Sequence, residues 1–176
     1  DLYLHWMQRA AESNYLPAAE QLEEDYREGW FGEQSDSLAF KWLLKAATLD
    51  PKLDHGKESY AYRVAESYLN GKGVAVNHAK AYEWYMKGAD KNVAAFQSAI
   101  GEMYRDGKHV KKDGTLALQW LTRASAQDYG HARIVLAYMY YEGNGVRKDI
   151  AKANYWRIKA CEVIFPCMGK LSKPFI

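Results

Sequence analysis

Residues that commonly carry chemistry are thinly spread in this chain. Its five histidines stand at 5, 55, 78, 109 and 131. No two of them are three or four apart, the spacing that sets two imidazoles on one helix face for a metal ion. No HExxH occurs, so neither a metal nor another cofactor is expected. Gly71-Lys72-Gly73 and Gly143-Asn144-Gly145 look like fragments of phosphate-binding loops, but they lack a preceding strand and the GxxxxGK[ST] spacing that such a loop needs. No Ser-His-Asp or Cys-His arrangement stands out, and scattered carboxylates are a solvated surface by default. The chain is therefore expected not to be an enzyme, and no catalytic residue is assigned. The only cysteines, Cys161 and Cys167, flank Pro166. Two readings of them stay open. A disulfide would pin the following tail to the last helix and would need an oxidising compartment; alternatively, Cys161 is simply a small core residue.

Composition narrows the class further. The chain has 176 residues, 48% of them hydrophobic and 14% aromatic, which fits a folded domain and excludes disorder. Lys plus Arg is 24 against 22 Asp plus Glu. This balance gives no reason to expect nucleic acid or an anionic membrane as a partner. The densest basic run, Lys108 to Lys112, reads as a solvated loop. No stretch approaches the roughly 18 apolar residues of a membrane span, so membrane insertion is not expected. The first residue is Asp1, read as a processed or trimmed start that leaves a removed export signal open.

The elements that must position these residues are set by a repeat. Trp6, Trp42, Trp84, Trp120 and Trp156 are separated by 36, 42, 36 and 36 residues. Tyr26, Tyr68, Tyr104 and Tyr140 lie 16 before the last four. The longer step fits a six-residue insertion around Asp50–Asp54. Three after each tyrosine stands Gly29, Gly71, Gly107 or Gly143, a residue that closes a helix in the left-handed conformation without penalty. Nine after it stands Ser35, Asn77, Asp113 or Asp149, each able to cap the next helix with a side-chain oxygen. Four before it, Leu22, Val64, Ile100 and Leu136 read as core, as do Ala39, Ala81, Ala117 and Ala153 thirteen after it. Val74 and Val146 are expected to plug the gap between paired helices. The tryptophans, Trp84 among them, are read as core fillers beside small pairs such as Ala46-Ala47 and Ala124-Ser125.

Each unit is then a helix A, a Gly-rich turn, a helix B and a second turn. Helix A is placed at about 17–28, 56–70, 93–106 and 130–142, and helix B at about 2–13, 36–48, 78–89, 114–126 and 150–162, with ends good to about two to four residues. Such pairs bury a continuous core only by stacking on their neighbours. The fold expected is all-α: a right-handed α/α superhelical solenoid of about four 36-residue pairs, read as one domain over 1–176. Its parts are a half repeat at 1–14, repeats at 15–49, 50–90, 91–127 and 128–163, and a C-terminal cap at 164–176. Leu2, Tyr3 and Leu4 either cap the other end or mark a missing helix.

The register Ala132, Leu136-Ala137, Tyr140, Gly143, Gly145-Val146, Asp149, Ala153, Trp156, Ala160 resembles the Sel-1-like repeat (SLR), a relative of the tetratricopeptide repeat. The resemblance covers nearly the whole chain. Departures are Glu23 at a usually small position, Trp30-Phe31-Gly32 in place of Gly-x-Gly-Val, and His109 where a second glycine falls. The resemblance implies a protein partner, a groove lined by helix A and a role as adaptor or scaffold. Small stand-alone SLR proteins of this size resemble immunity proteins that neutralise a secreted toxic enzyme in the bacterial envelope. That is the leading expectation, with a periplasmic or otherwise exported location and a monomeric state. A cytoplasmic location, an adaptor or host-interaction scaffold, and a glycan-binding solenoid stacking Tyr62, Tyr138 and Tyr141 on sugar rings are the alternatives.

If the core side of helix A is at −8, −4, −3 and 0 from the tyrosine, the opposite stripe lies near −6, −2 and +1. The partner-binding candidates on it are Glu24 and Arg27; Tyr62, Glu66 and Leu69; Glu102 and Arg105; and Ile134, Tyr138 and Tyr141. Glu24, Glu66 and Glu102 form an acidic ladder that gives way to tyrosines in the last repeat, which would suit a partner with a basic stretch and an apolar anchor. The alternative reading makes Glu24–Arg27 and Glu102–Arg105 ordinary i,i+3 surface pairs and packs the tyrosines against a terminal segment.

Overall fold

The computed structural model describes residues 2–30, 32, 34–50, 52, 56–163 and 174–175, which form nine α-helices and one short 3-10 turn, with no strand among them. The chain divides into two units, Asp1–Gly88 and Ala89–Ile176. The first holds α1 (Leu2–Glu12), α2 (Leu16–Glu28), α3 (Asp36–Leu49), α4 (Tyr60–Asn70) and most of α5 (His78–Asp90). The second holds α6 (Ala94–Asp106), α7 (Gly114–Ser125), α8 (Gly130–Glu142) and α9 (Ile150–Val163). The dividing point is the small pair Gly88-Ala89 inside α5.

The turn between the two helices of each repeat is one piece of backbone made four times. Gly29, Gly71, Gly107 and Gly143 all have φ between 72° and 76° and close their helices by donating to the carbonyl four residues back. The capping oxygens follow. Ser35 accepts from Leu38 N at 3.3 Å, Asn77 from Lys80 N at 3.0 Å, Asp113 from Leu116 N at 2.9 Å, and Asp149 from Lys152 N at 2.9 Å. A further bond closes the turn. The backbone N–H of each capping residue donates to the carbonyl of the repeat tyrosine, at 2.9, 2.8, 2.9 and 2.9 Å in chain order. That bond ties the start of helix B to the end of helix A, and accounts for the fixed nine-residue spacing. His109 takes φ 67°, the same left-handed geometry as Gly73 and Gly145, so the third turn keeps its shape without the second glycine.

The opposite turns, from helix B to the next helix A, use Asn14, Asn92 and Asp128, with φ of 68°, 61° and 58°. Asn and Asp are the non-glycine residues that enter this region most readily. They stand eight residues after Trp6, Trp84 and Trp120. The insertion changes the remaining turn. The helix expected over 56–70 is broken: a 3-10 turn covers Gly56–Glu58, and Ser59 starts α4 by accepting from Tyr62 N at 3.3 Å.

Packing follows the register. Leu22, Val64, Ile100 and Leu136 are fully buried. In the first unit Ala11, Ala18, Ala19, Leu22, Trp42 and Ala46 form one core. In the second, Ala117, Leu121, Ala124, Ala132, Val135, Leu136 and Met139 form another, with Val146 packed on it as the expected plug. Arg133 joins helix ends there, donating to the Ser125 carbonyl at 3.1 Å and the Lys159 carbonyl at 3.0 Å. The tryptophans need correction. Trp42 is 2% exposed, but Trp84, Trp120 and Trp156 are only half-buried and Trp6 is 56% exposed. Three of these open rings are roofed by the cation one turn on: Arg9 over Trp6 at 5.2 Å, Lys87 over Trp84 at 3.3 Å and Arg123 over Trp120 at 4.9 Å. Trp84 is therefore a surface-facing filler, and the buried ring beside it is Tyr85.

Candidate functional site

In the first unit the candidate stripe opens onto a cavity of about 190 Å³ between α2, α3 and α4, with Ala39, Phe40 and Leu43 as its apolar wall. Two of the expected residues line it, Arg27 and Glu66, together with Glu23, Asp36, Arg63 and Lys72. Glu23 is the anchor. It is buried where other repeats have Ala65, Gly101 and Ala137, and its carboxylate meets Arg63 of α4 at 2.6 Å and Arg27 at 3.5 Å. A buried carboxylate is retained when it is paired in this way. Arg27 also lies 3.9 Å from Glu24 and 3.4 Å from Glu28. Glu66 is exposed at the rim, and Lys72 lies 4.0 Å from Asp36. The cavity thus offers charges of both signs, with Glu23 paired to Arg63 inside and Asp36, Glu66 and Lys72 toward solvent. Nearby, Tyr60 donates to Glu20; burial first, then that bond, raises the phenol above its ordinary range.

Tyr62 does not line open surface. It is 5% exposed and packs edge-to-face on Tyr85, with centroids 5.1 Å apart. Helical spacing placed Tyr62 on the outer stripe, but spacing cannot show that Tyr85 of α5 packs on its ring. This removes one of the three rings on which a sugar would have stacked. Leu69 is half-buried.

In the second unit Glu102 is held by His131 Nε2 at 3.0 Å and by Arg105 at 3.6 Å. Arg105 grips Asp106 with two bonds, 2.6 and 2.9 Å. The i,i+3 pairs Glu24–Arg27 and Glu102–Arg105 are therefore both present, and Glu66 is the ladder residue left outward. Arg105's hydrogen bonds hold the Asp106 carboxyl below the usual carboxylate range, against burial that works the other way. The charged form is the one the fold favours. Its contribution is full above the ordinary carboxylate range and is lost as the pH falls through the lowered value. In urea unfolding followed from about pH 5 to pH 2, the wild-type chain is expected to lose more stability than Asp106→Asn. Equal losses would show that the pair does nothing for the fold.

Ile134 is half-buried, Tyr138 is 39% exposed and Tyr141 is half-buried. Both tyrosines carry a ring contact: Phe175 stacks on Tyr141 with centroids 4.3 Å apart and meets Tyr138 edge-on at 5.7 Å. Residues 164–173 of the expected cap, Cys167 and His55 lie outside the described residues. Cys161 carries no free thiol, and its pairing with Cys167 stays an expectation. Among the described residues no group of three or more His, Cys, Asp or Glu is placed to hold a metal ion, and no helix is long and apolar enough to cross a membrane.

Sequence reasoning missed Glu23 as an anchor, Arg63, Asp36, Lys72, Asn154 and Phe175. Glu23 was visible as a departure from the repeat. Its partner Arg63 was not, because no repeat position predicts it.

A family model described as Sel1 repeat matches residues 4–15, 26–51, 59–93, 94–129 and 130–162. Among solved structures, a protective antigen of uropathogenic Escherichia coli displaying an SLR fold is 29% identical with a TM-score of 0.70, over 90% of this chain and 32% of that one. A Sel1 repeat protein from Oxalobacter formigenes is 27% identical with a TM-score of 0.71, over 92% of this chain and 62% of that one. The chain spans less than two thirds of the length of either. A search of curated proteins gave no match.

Proposed function

The chain belongs to the Sel1 repeat family, whose repeats are protein–protein interaction modules, and from that premise we propose that it binds and neutralises a secreted toxic enzyme in the bacterial envelope. The observation that carries this reading is the mixed-charge cavity of the first unit. Its inner pair, Glu23–Arg63, ties α2 to α4, and its rim presents Glu66 and Lys72. A concavity whose exposed edge carries charges of both signs suits a charged protein segment. The family is generally non-catalytic. The envelope location is part of the proposal: the cysteine pair Cys161 and Cys167, if bonded, would suit an oxidising compartment.

The likeness to a protective antigen favours a second reading, a scaffold in host interaction. One experiment separates the two. The tagged chain is used to capture proteins from extract of its own cells, and the captured proteins are identified by mass spectrometry. A single stoichiometric enzyme that loses activity when titrated with the pure chain is the expected result. Several substoichiometric proteins, or an enzyme whose activity is untouched, would overturn the inhibitor reading and leave the scaffold.

A further inference from the structure

Three departures from the repeat converge on one side chain in the last repeat. At the position of Glu24, Glu66 and Glu102 stands Tyr138; at that of Arg27, Leu69 and Arg105 stands Tyr141; at that of Phe40, Tyr82 and Leu118 stands Asn154. All three touch Phe175. Its ring lies against both tyrosines. Its backbone is held from both ends by one carboxamide: Phe175 N–H donates to Asn154 Oδ1 at 3.0 Å, and Asn154 Nδ2 donates to the Phe175 carbonyl at 3.2 Å. The N–H and C=O of one residue face the same way in extended chain, which is why a strand neighbour exchanges both bonds with a single residue. Asn154 acts here as that neighbour, reading main chain while the tyrosines read the ring. The carboxamide is set in advance, because Arg157 Nε also donates to its Oδ1 at 3.2 Å and Arg157 is buried. In the first unit, by contrast, Phe40 at the Asn154 position simply packs on Tyr68, with centroids 5.2 Å apart.

We propose that Tyr138, Tyr141 and Asn154 form a recognition subsite for an extended peptide segment carrying a phenylalanine, and that Phe175 of the same chain occupies it as a built-in competitor. The proposal rests on the protein-binding reading for its occupant in trans. Main-chain hydrogen bonds supply affinity and the ring pocket supplies selection, as in other recognition of extended peptides. An intramolecular occupant competes at high effective concentration, so the subsite should open when the Phe175 ring is removed.

The probe is a labelled peptide of residues 170–176 of this sequence, Lys-Leu-Ser-Lys-Pro-Phe-Ile, followed by fluorescence polarisation and by NMR into the millimolar range. Full-length Phe175→Ala is expected to bind it at least tenfold more tightly than the wild-type chain. Adding Tyr141→Ala or Asn154→Ala to Phe175→Ala should cost at least tenfold, as should replacing the peptide's phenylalanine by alanine. Circular dichroism confirms that each variant keeps its helices; if Asn154→Ala does not, the substituted peptide carries the test alone. No binding to Phe175→Ala, or binding indifferent to the peptide's phenylalanine, would overturn the subsite. That failure is distinct from failure of the protein-binding reading, because a captured partner that holds both chains equally would leave the latter standing.

Discussion

Trp42→Ala is expected to lower the stability of the chain by about 3–5 kcal/mol, the range for truncating a large buried aromatic. Trp42 is 2% exposed and sits in a core made mostly of alanines, Ala11, Ala18, Ala19 and Ala46 with Leu22, so its removal leaves a large cavity. Trp42→Phe separates packing from hydrogen bonding. The indole Nε1 is buried with no hydrogen-bond partner among the described residues, so phenylalanine removes an unsatisfied donor while keeping most of the ring, and most of the loss should be recovered. Trp84→Ala should cost clearly less than Trp42→Ala, because Trp84 is half-open under Lys87. Urea denaturation of the three variants checks the order. Equal losses for Trp42→Ala and Trp84→Ala would contradict the burial assigned to the two rings.

Gly114→Ala should destabilise by about 2–3 kcal/mol, near the upper end for overpacking. Propensity alone points the other way, since alanine is favoured over glycine in a helix by roughly 1 kcal/mol. The clash decides the sign. A Cβ at Gly114 would lie 1.6 Å from the Gly145 carbonyl oxygen, a backbone atom with no rotamer to yield. The same approach is made in the first unit, where a Cβ at Gly73 would lie 2.0 Å from the Asp36 carbonyl. The Gly-rich turn of one repeat is thus seated on the start of the preceding helix B, which is a requirement on the glycines separate from their left-handed φ. A rise in the denaturation midpoint of Gly114→Ala would show that the turn does not sit there.

What was legible in the sequence is what repeats. The four tyrosines, the glycines three residues on and the capping oxygens nine residues on predict helix ends to within a few residues, because each position serves a local backbone need that recurs unchanged. The tyrosine's own role was less visible, since its carbonyl, not its ring, accepts the closing hydrogen bond. The second set of turns was readable in principle from Asn14, Asn92 and Asp128. The candidate site was less legible because it consists of exceptions. Glu23 needs Arg63, which lies 40 residues away at a position with no repeat preference. Tyr62 was assigned by helical spacing to an open face that Tyr85 covers. Asn154 and Phe175 are joined by contacts across 21 residues that no periodicity encodes. Burial of the tryptophans also escaped the pattern. The repeat fixes where each ring starts, while the neighbouring helices decide whether it is covered.

The central claim is that the cavity between α2, α3 and α4 meets the partner, and the affinity of Glu66→Arg for the captured protein tests it most directly. Glu66 is exposed at the cavity rim, so reversing its charge should leave the helical signal and the unfolding midpoint unchanged. Isothermal titration is expected to show affinity at least tenfold weaker than that of the wild-type chain, about 1.4 kcal/mol. Unchanged affinity in a chain that is still fully helical would contradict the assignment and move the binding surface away from this cavity.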